Sequence, residues 1–196
     1  GSAFPSPLAP RDYDNDRFSV GLNGSLNNGF DWEVSYTDSN QSSYYFQPDT
    51  STSKFKKAIE GTGGAAGNLT WNLFDPTANS AELISYISSG EERWTEAGLS
   101  VIDIILTGTT KNGIDIATGF QHRAENFEIQ RNDASKAVFG ADGSITQQSD
   151  LIFLGGGQEN DSSRNTKAIF VEAAKDMNDK LQLKGAMRYE ILKSES

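Results

Sequence analysis

His122 is the only histidine in the chain, so a Ser-His-Asp triad or a His-rich metal site would have to be built around it alone. By two-residue periodicity it shares a face with Phe120 and Ala124, which is the setting of a wall or interface residue rather than a catalyst. No paired carboxylates, and no nucleophile with a base, stand at a spacing that names a reaction. No catalytic residue is therefore assigned, and the chain is read as a non-enzyme. The absence of cysteine removes disulfides, thiol catalysis and thiolate metal sites together.

Asp12, Asp14 and Asp16 alternate like the start of a calcium loop, yet no Gly follows at the sixth position and no Glu at the twelfth. They read as a solvated acidic segment, and neither a metal site nor a cofactor is expected. Gly155-Gly156-Gly157 follows the apolar Leu151–Leu154, but a phosphate cradle also needs a Lys-Ser/Thr pair and a helix, and neither comes next. The aromatic group Tyr44, Tyr45 and Phe46, with Trp71 and Phe74, lies in a long polar stretch and supplies candidate ligand-binding surfaces. Flat rings there can stack on a ligand, or pack the loops against each other.

These residues belong to a chain of 196 residues with 19 Gly, 10 % aromatics and a mean hydropathy of -0.53, a poor fit to a helical bundle. With 27 acids against 17 bases and a net charge of -10, nucleic acid is not an expected partner. No window approaches the roughly 18 consecutive apolar residues of a membrane-spanning helix. Barrel strands escape that test, since only every second side chain need be apolar. The opening Gly1-Ser2 resembles a cloning remnant, so targeting information is expected to lie outside this chain.

Alternation is the clearest signal. Phe18, Val20, Leu22 and Leu26 fall on one face of residues 17–26, with Arg17, Ser19, Asn23 and Ser25 on the other. After the Asn27-Asn28-Gly29 turn, Phe30, Trp32, Val34 and Tyr36 alternate with Asp31, Glu33, Ser35 and Thr37 in residues 30–37. Further strands are predicted at 93–107, 114–130, 166–174 and 180–192. Long loops are predicted at 38–92 and 131–165. Within the first, residues 54–60 (KFKKAIE) are read as a short strand and residues 80–89 as a short helix capped by Ser80.

The connections run short, long, short, long, short. That rule, with alternating faces, describes outer-membrane barrels, whose turns are short on one side of the membrane and long on the other. Arg123 with Glu125, and Arg188 with Glu190, put paired charges in mid-strand and are assigned to a lumen-facing surface. A soluble β-sandwich alternates in the same way and stays open as a reading. The expected fold is all-β: an antiparallel meander of six to seven strands from a transmembrane β-barrel, with long loops and one short helix.

In order along the chain, four segments resemble the TonB-dependent outer-membrane receptor family. VGLNGSLNNGFDWEVSYT at 20–37 is similar to the family's Gly-Leu strand, turn and Trp-Asp/Glu-x-Ser-Tyr strand. NLFDP at 72–76 and AELISYI at 81–87 resemble an Asn-Leu-Phe-Gly segment and the helix after it. IDIATGFQHRAENF at 114–127 and AIFVEAAKDMNDKLQLKGAMRYE at 168–190 resemble later wall strands. Relatives often carry Cys and Pro where Asn68 and Thr70 stand, and Gly where Asp75 stands, so a loop disulfide is absent here.

The resemblance implies an internal slice of a barrel of about 22 strands, without the plug domain and energy-coupling box. Residues 1–16 are expected to be a flexible N-terminal segment, residues 17–192 the partial barrel and residues 193–196 a tail. The implied function is binding and import of a bulky nutrient (siderophore, vitamin or oligosaccharide) across a Gram-negative outer membrane, with energy from the TonB complex acting through the plug. Implied partners are the nutrient ligand, the TonB complex and outer-membrane lipid, and a slice with two open edges is expected to self-associate. The alternative function is a soluble extracellular β-rich binding module with a carbohydrate-type ligand.

Overall fold

The computed structural model describes residues 8–195; Gly1 and Ser2 lie outside them. The chain is all-β in its main architecture, an antiparallel meander in which one sheet has the order β1-β2-β3-β4-β7-β8. Its strands are β1 (Arg11–Ser25), β2 (Phe30–Thr50), β3 (Ser88–Thr109), β4 (Asp115–Arg131), β7 (Asn160–Asn178) and β8 (Leu181–Glu195). A separate ribbon pairs β5 (Val138–Phe139) with β6 (Ile145–Gln147). Each long strand pairs with its neighbour in sequence, except that β5 and β6 intervene before β7. The sheet is not closed into a barrel: β1 and β8 are its edges.

Short turns set the register. Between β1 and β2, Leu26 N donates to Phe30 O at 2.7 Å and Gly29 N to Leu26 O at 3.1 Å, with Gly29 at φ +83, where a side chain would be strained. Between β3 and β4, Thr110 N donates to Ile114 O at 2.8 Å and Gly113 takes φ +68. At the third turn Lys180 N donates to Asn178 Oδ1 at 3.0 Å, and β7 and β8 then pair from Asn178↔Leu181 to Ser163↔Glu195.

The strands are longer than the alternation predicts. β1 begins at Arg11, so residues 11–16 are strand rather than a flexible segment, and residues 193–195 continue β8 rather than forming a tail. β2 runs to Thr50 and β7 starts at Asn160, inside the stretches read as loops. The reason is physical. Two-residue alternation is visible only where the two faces differ in polarity, whereas backbone pairing continues where they are alike, as in Phe46 N donating to Pro10 O at 3.1 Å.

Two compact units divide the chain. One comprises Ser42–Thr95 and Ile129–Asn160 with the N-terminal segment up to Asp14; the other comprises Asn15–Gln41, Glu96–Glu128 and the chain from Asp161.

The first unit carries two helices, where one was expected. α1 (Thr52–Ile59) replaces the strand predicted at 54–60. Ser51 caps it, its hydroxyl accepting from Lys54 N at 3.2 Å, and Phe55 and Ala58 lie on the inner side at helical rather than strand spacing. α2 (Ala81–Ile87) starts at Ser80, whose hydroxyl accepts from Leu83 N at 3.2 Å. Between them Ala58, Trp71, Leu83 and Ile87 form a core, with Leu83 2 % and Ile87 0 % exposed. Phe55 meets Trp71 edge-on at 5.6 Å. Gly63 lets the chain pass so close that an added Cβ would lie 2.8 Å from Ala58 Cα.

The second unit is a two-faced sheet. Phe18, Val20 and Leu22 on β1, Val34 and Tyr36 on β2, and Ile102 and Ile104 on β3 are all exposed. So are Ile169 and Val171 on β7, and Leu183, Met187, Tyr189 and Ile191 on β8. The register Ile169↔Tyr189 and Val171↔Met187 sets these side chains on one face, and Phe170↔Arg188 and Ala168↔Glu190 set the polar ones on the other.

Candidate functional site

On the polar face of the second unit the expected charges meet partners across strands. Glu125 on β4 takes a bidentate fork from Arg164 on β7, with Nε donating at 2.7 Å and Nη2 at 2.8 Å, while Arg123 Nε stands 3.2 Å from the same carboxylate. Arg188 on β8 holds Glu190, its Nε donating at 2.7 Å, and reaches Gln121 on β4, its Nη2 donating at 3.0 Å. Gln121 in turn donates to Asp103 on β3 at 2.8 Å. Arg123, Glu125, Arg188 and Glu190 thus belong to one polar surface spanning four strands.

Two concavities lie over that face. One, of about 620 Å³, is lined by Asn15, Ser39, Gln41, Leu99, Glu125 and Arg164 among others. The other, of about 640 Å³, lies towards the short turns and takes in Thr107, Asp115, Glu172 and Lys184. Hydroxyls, amides and the paired Glu125 and Arg164 line the first, whereas Thr hydroxyls with Asp115, Glu172 and Lys184 line the second, a chemistry suited to hydroxyl-rich or mixed-charge ligands.

Arg164 and Asp103 were not singled out by the sequence. Arg164 sits in a polar run that carries no alternation and was read as loop, although β7 already begins at Asn160. The available signal was charge balance: Glu125 has one guanidinium on its own strand and the geometry to accept a second.

The five aromatic candidates do not form one site. Tyr44, Tyr45 and Phe46 lie in β2, not in a loop. Tyr44 stacks at a tilt on Trp94, 5.5 Å between centroids, with its hydroxyl 3.5 Å from Glu92. Tyr45, on the opposite side of the strand, lies between Arg11 at 4.7 Å and Arg93 at 4.9 Å. Phe46 covers Gly90, where a Cβ would come within 2.5 Å of the ring. Trp71 is buried in the helix core, 7 % exposed, so it packs the loop instead of facing ligand. Phe74 is fully exposed at the tip of a turn in which Asn72 Oδ1 accepts from Phe74 N at 3.0 Å and Asp75 N at 2.9 Å.

Elsewhere in the first unit, Asp150 forms a clasp. It accepts from Ser51 Oγ at 2.5 Å, Ser53 N at 2.7 Å and Ser53 Oγ at 2.9 Å, while Asp49 accepts from Phe153 N at 2.9 Å and Leu154 N at 2.7 Å. Burial pushes the Asp150 pKa up, but the Ser51 hydroxyl, the Ser53 amide and hydroxyl and the charge of Lys54 outweigh it, leaving the carboxyl below its ordinary value. Asp133 and Lys136 pair at 2.8 Å, which lowers the first and raises the second. Glu91 and Arg131 form a half-hidden ion pair in the same unit.

Asp12, Asp14 and Asp16 lie along an extended strand, a row rather than a wrapped loop, and Asp16 accepts from Asn40 at 3.3 Å. Among the described residues no group of three or more His, Asp or Glu side chains could hold a metal ion. His122 lies in β4, and Gly156, at φ +91, lies in an irregular connection. No protein-family model matches the chain, and no curated protein or solved structure matches it either.

Proposed function

We propose that this chain is a wall segment of an outer-membrane active-transport receptor, one that binds a bulky nutrient and imports it with energy from the TonB complex. One observation carries the reading: β1, β2, β3, β7 and β8 each expose Ile, Val, Leu, Phe, Tyr or Met on one face, while the opposite face carries the Arg164–Glu125 pair between strands and the Arg188–Glu190 pair within β8. A water-facing sheet has the reverse distribution, because its apolar face needs a second layer.

The apolar band has ends. On β2 it runs from Phe30 to Tyr36, about 20 Å of extended chain, and gives way to Asp38 and Asn40, which bond to each other at 2.9 Å. On β8 it runs from Leu181 to Ile191, about 33 Å along the strand, and stops at Lys193. A lipid-facing barrel band is about 25 Å tall. Short turns on one side, long connections on the other and the ordered resemblance to receptor hairpins support the same reading. The polar face would then line a lumen, no reaction is assigned, and the plug and the rest of the wall belong to other sequence.

Trp32 provides the test, since it lies on the apolar face and Trp71 lies in a core. In variants keeping one tryptophan each, reconstituted in vesicles with brominated acyl chains, Trp32 emission is expected to be quenched and Trp71 emission spared. A detergent-free, compact monomer with Trp32 unquenched would overturn the proposal. The runner-up, a soluble extracellular binding module, predicts that outcome.

A further inference from the structure

In the first unit, β1, β2 and β3 carry Arg11, Tyr45 and Arg93 side by side, so that one phenol ring lies between two guanidiniums, 4.7 Å and 4.9 Å from its centroid. A guanidinium stacked on a ring keeps its N–H donors in its own plane, directed past the ring edge. Those donors are unclaimed. Among the described residues no carboxylate and no hydrogen-bond acceptor engages either guanidinium, in a chain where 27 acids outnumber 17 bases. Arg123, Arg131, Arg164 and Arg188 all have carboxylate partners. The nearest acid along β3 on the same side, Glu91, is committed to Arg131.

Two like charges held beside one ring repel each other and have no direct ion-pair partner among the described residues, so an external anion lowers the energy of the arrangement. The planar forks match carboxylates, each able to bind one bidentately, and the Tyr45 ring supplies a flat surface between them. The opposite side of the same strands, with Asp12, Glu92 and the Tyr44–Trp94 pair, is acidic and would repel the same ligand.

We infer that Arg11, Tyr45 and Arg93 form a binding subsite for a ligand bearing two or more carboxylates, such as an acidic oligosaccharide. The inference rests on the receptor reading only for what becomes of the ligand, since binding to this chain is measurable without a membrane.

Titration calorimetry on the full chain, with citrate and a linear tri-uronate as probes and a neutral trisaccharide as control, tests it. Both acidic probes are expected to bind and the neutral sugar not to. R11Q and R93Q are each expected to weaken binding about 10-fold or more, as loss of a charge-assisted pair implies. R93K should restore part of that loss, Y45F should keep most of the affinity, and Lys57→Gln on exposed α1, with the same loss of charge, should leave it unchanged. Circular dichroism checks that each variant is folded. No acidic-probe binding by the folded wild-type chain, or equal weakening by Lys57→Gln, would overturn the inference. Failure of Trp32 quenching would strike the receptor reading and leave this result standing.

Discussion

The two units spend similar residues differently. In the first, Ala58, Trp71, Leu83 and Ile87 are closed off by two short helices, and Leu151 and Ala137 are buried nearby. In the second, Ile104 stays 44 % exposed, Ile169 57 % and Met187 73 %, and the buried side chains are the small Ala168 and Thr166. Two helices with the segment that joins them can wrap a few side chains completely. A single-layer sheet cannot, because everything on its apolar face points away from the layer that holds it. The lesson is that the first unit closes over a small core of its own, whereas the apolar face of the second stays uncovered among the described residues.

The largest effect is expected where burial is fullest. Leu83→Ala should destabilise the first unit by about 2–5 kcal/mol, through lost transfer energy and a cavity beside Trp71. Urea unfolding followed by Trp71 emission measures it, and an unmoved midpoint would break the contrast between a packed and an unpacked unit. Next in size, Ile104→Arg should cost about 2–4 kcal/mol in a bilayer, as for a charge at mid-depth on a lipid face, yet only about 0.5 kcal/mol or less in water. Equal costs in both media would place Ile104 against protein, not lipid.

Asp150→Ala should destabilise the first unit by about 1–3 kcal/mol, because Ser51 and Ser53 lose their acceptor. Its pH dependence has a definite sign. The folded carboxyl has a depressed pKa, so its contribution is present above the unfolded value of about 3.9 and is lost as pH falls through the folded value. Wild type should therefore lose stability more steeply than Asp150→Asn below about pH 4, and parallel acid-unfolding curves would show that the clasp carries no linkage.

How much was legible follows from the same physics. The hairpins at Asn27-Asn28-Gly29 and around Asp176–Asp179 were readable because an apolar stripe and a turn signal coincide there. The Ser80 cap was readable because it is local. α1 was misread as a strand since Phe55, Ala58 and Ile59 sit between lysines, and only contact with Trp71 and Leu83 decides their period. Tyr44, Tyr45 and Phe46 were assigned to a loop for want of alternation, although backbone pairing carries the strand past them. Arg123, Glu125, Arg188 and Glu190 could be placed on one face by counting, but Arg164 reaches Glu125 across 39 positions and Arg188 reaches Gln121 across 67, and counting along one strand reveals neither contact.

The sequence by itself determined the all-β class, the two-faced strands and the short turns, because periodicity and turn chemistry act over a few residues. Only the tertiary structure decided which polar groups meet: Asp150 at the cap of α1, Arg164 on Glu125, and Arg11 and Arg93 about one tyrosine ring. Those pairings depend on strand register and on contacts between residues 34 to 97 positions apart, distances over which a residue's own neighbours carry no information about its partner.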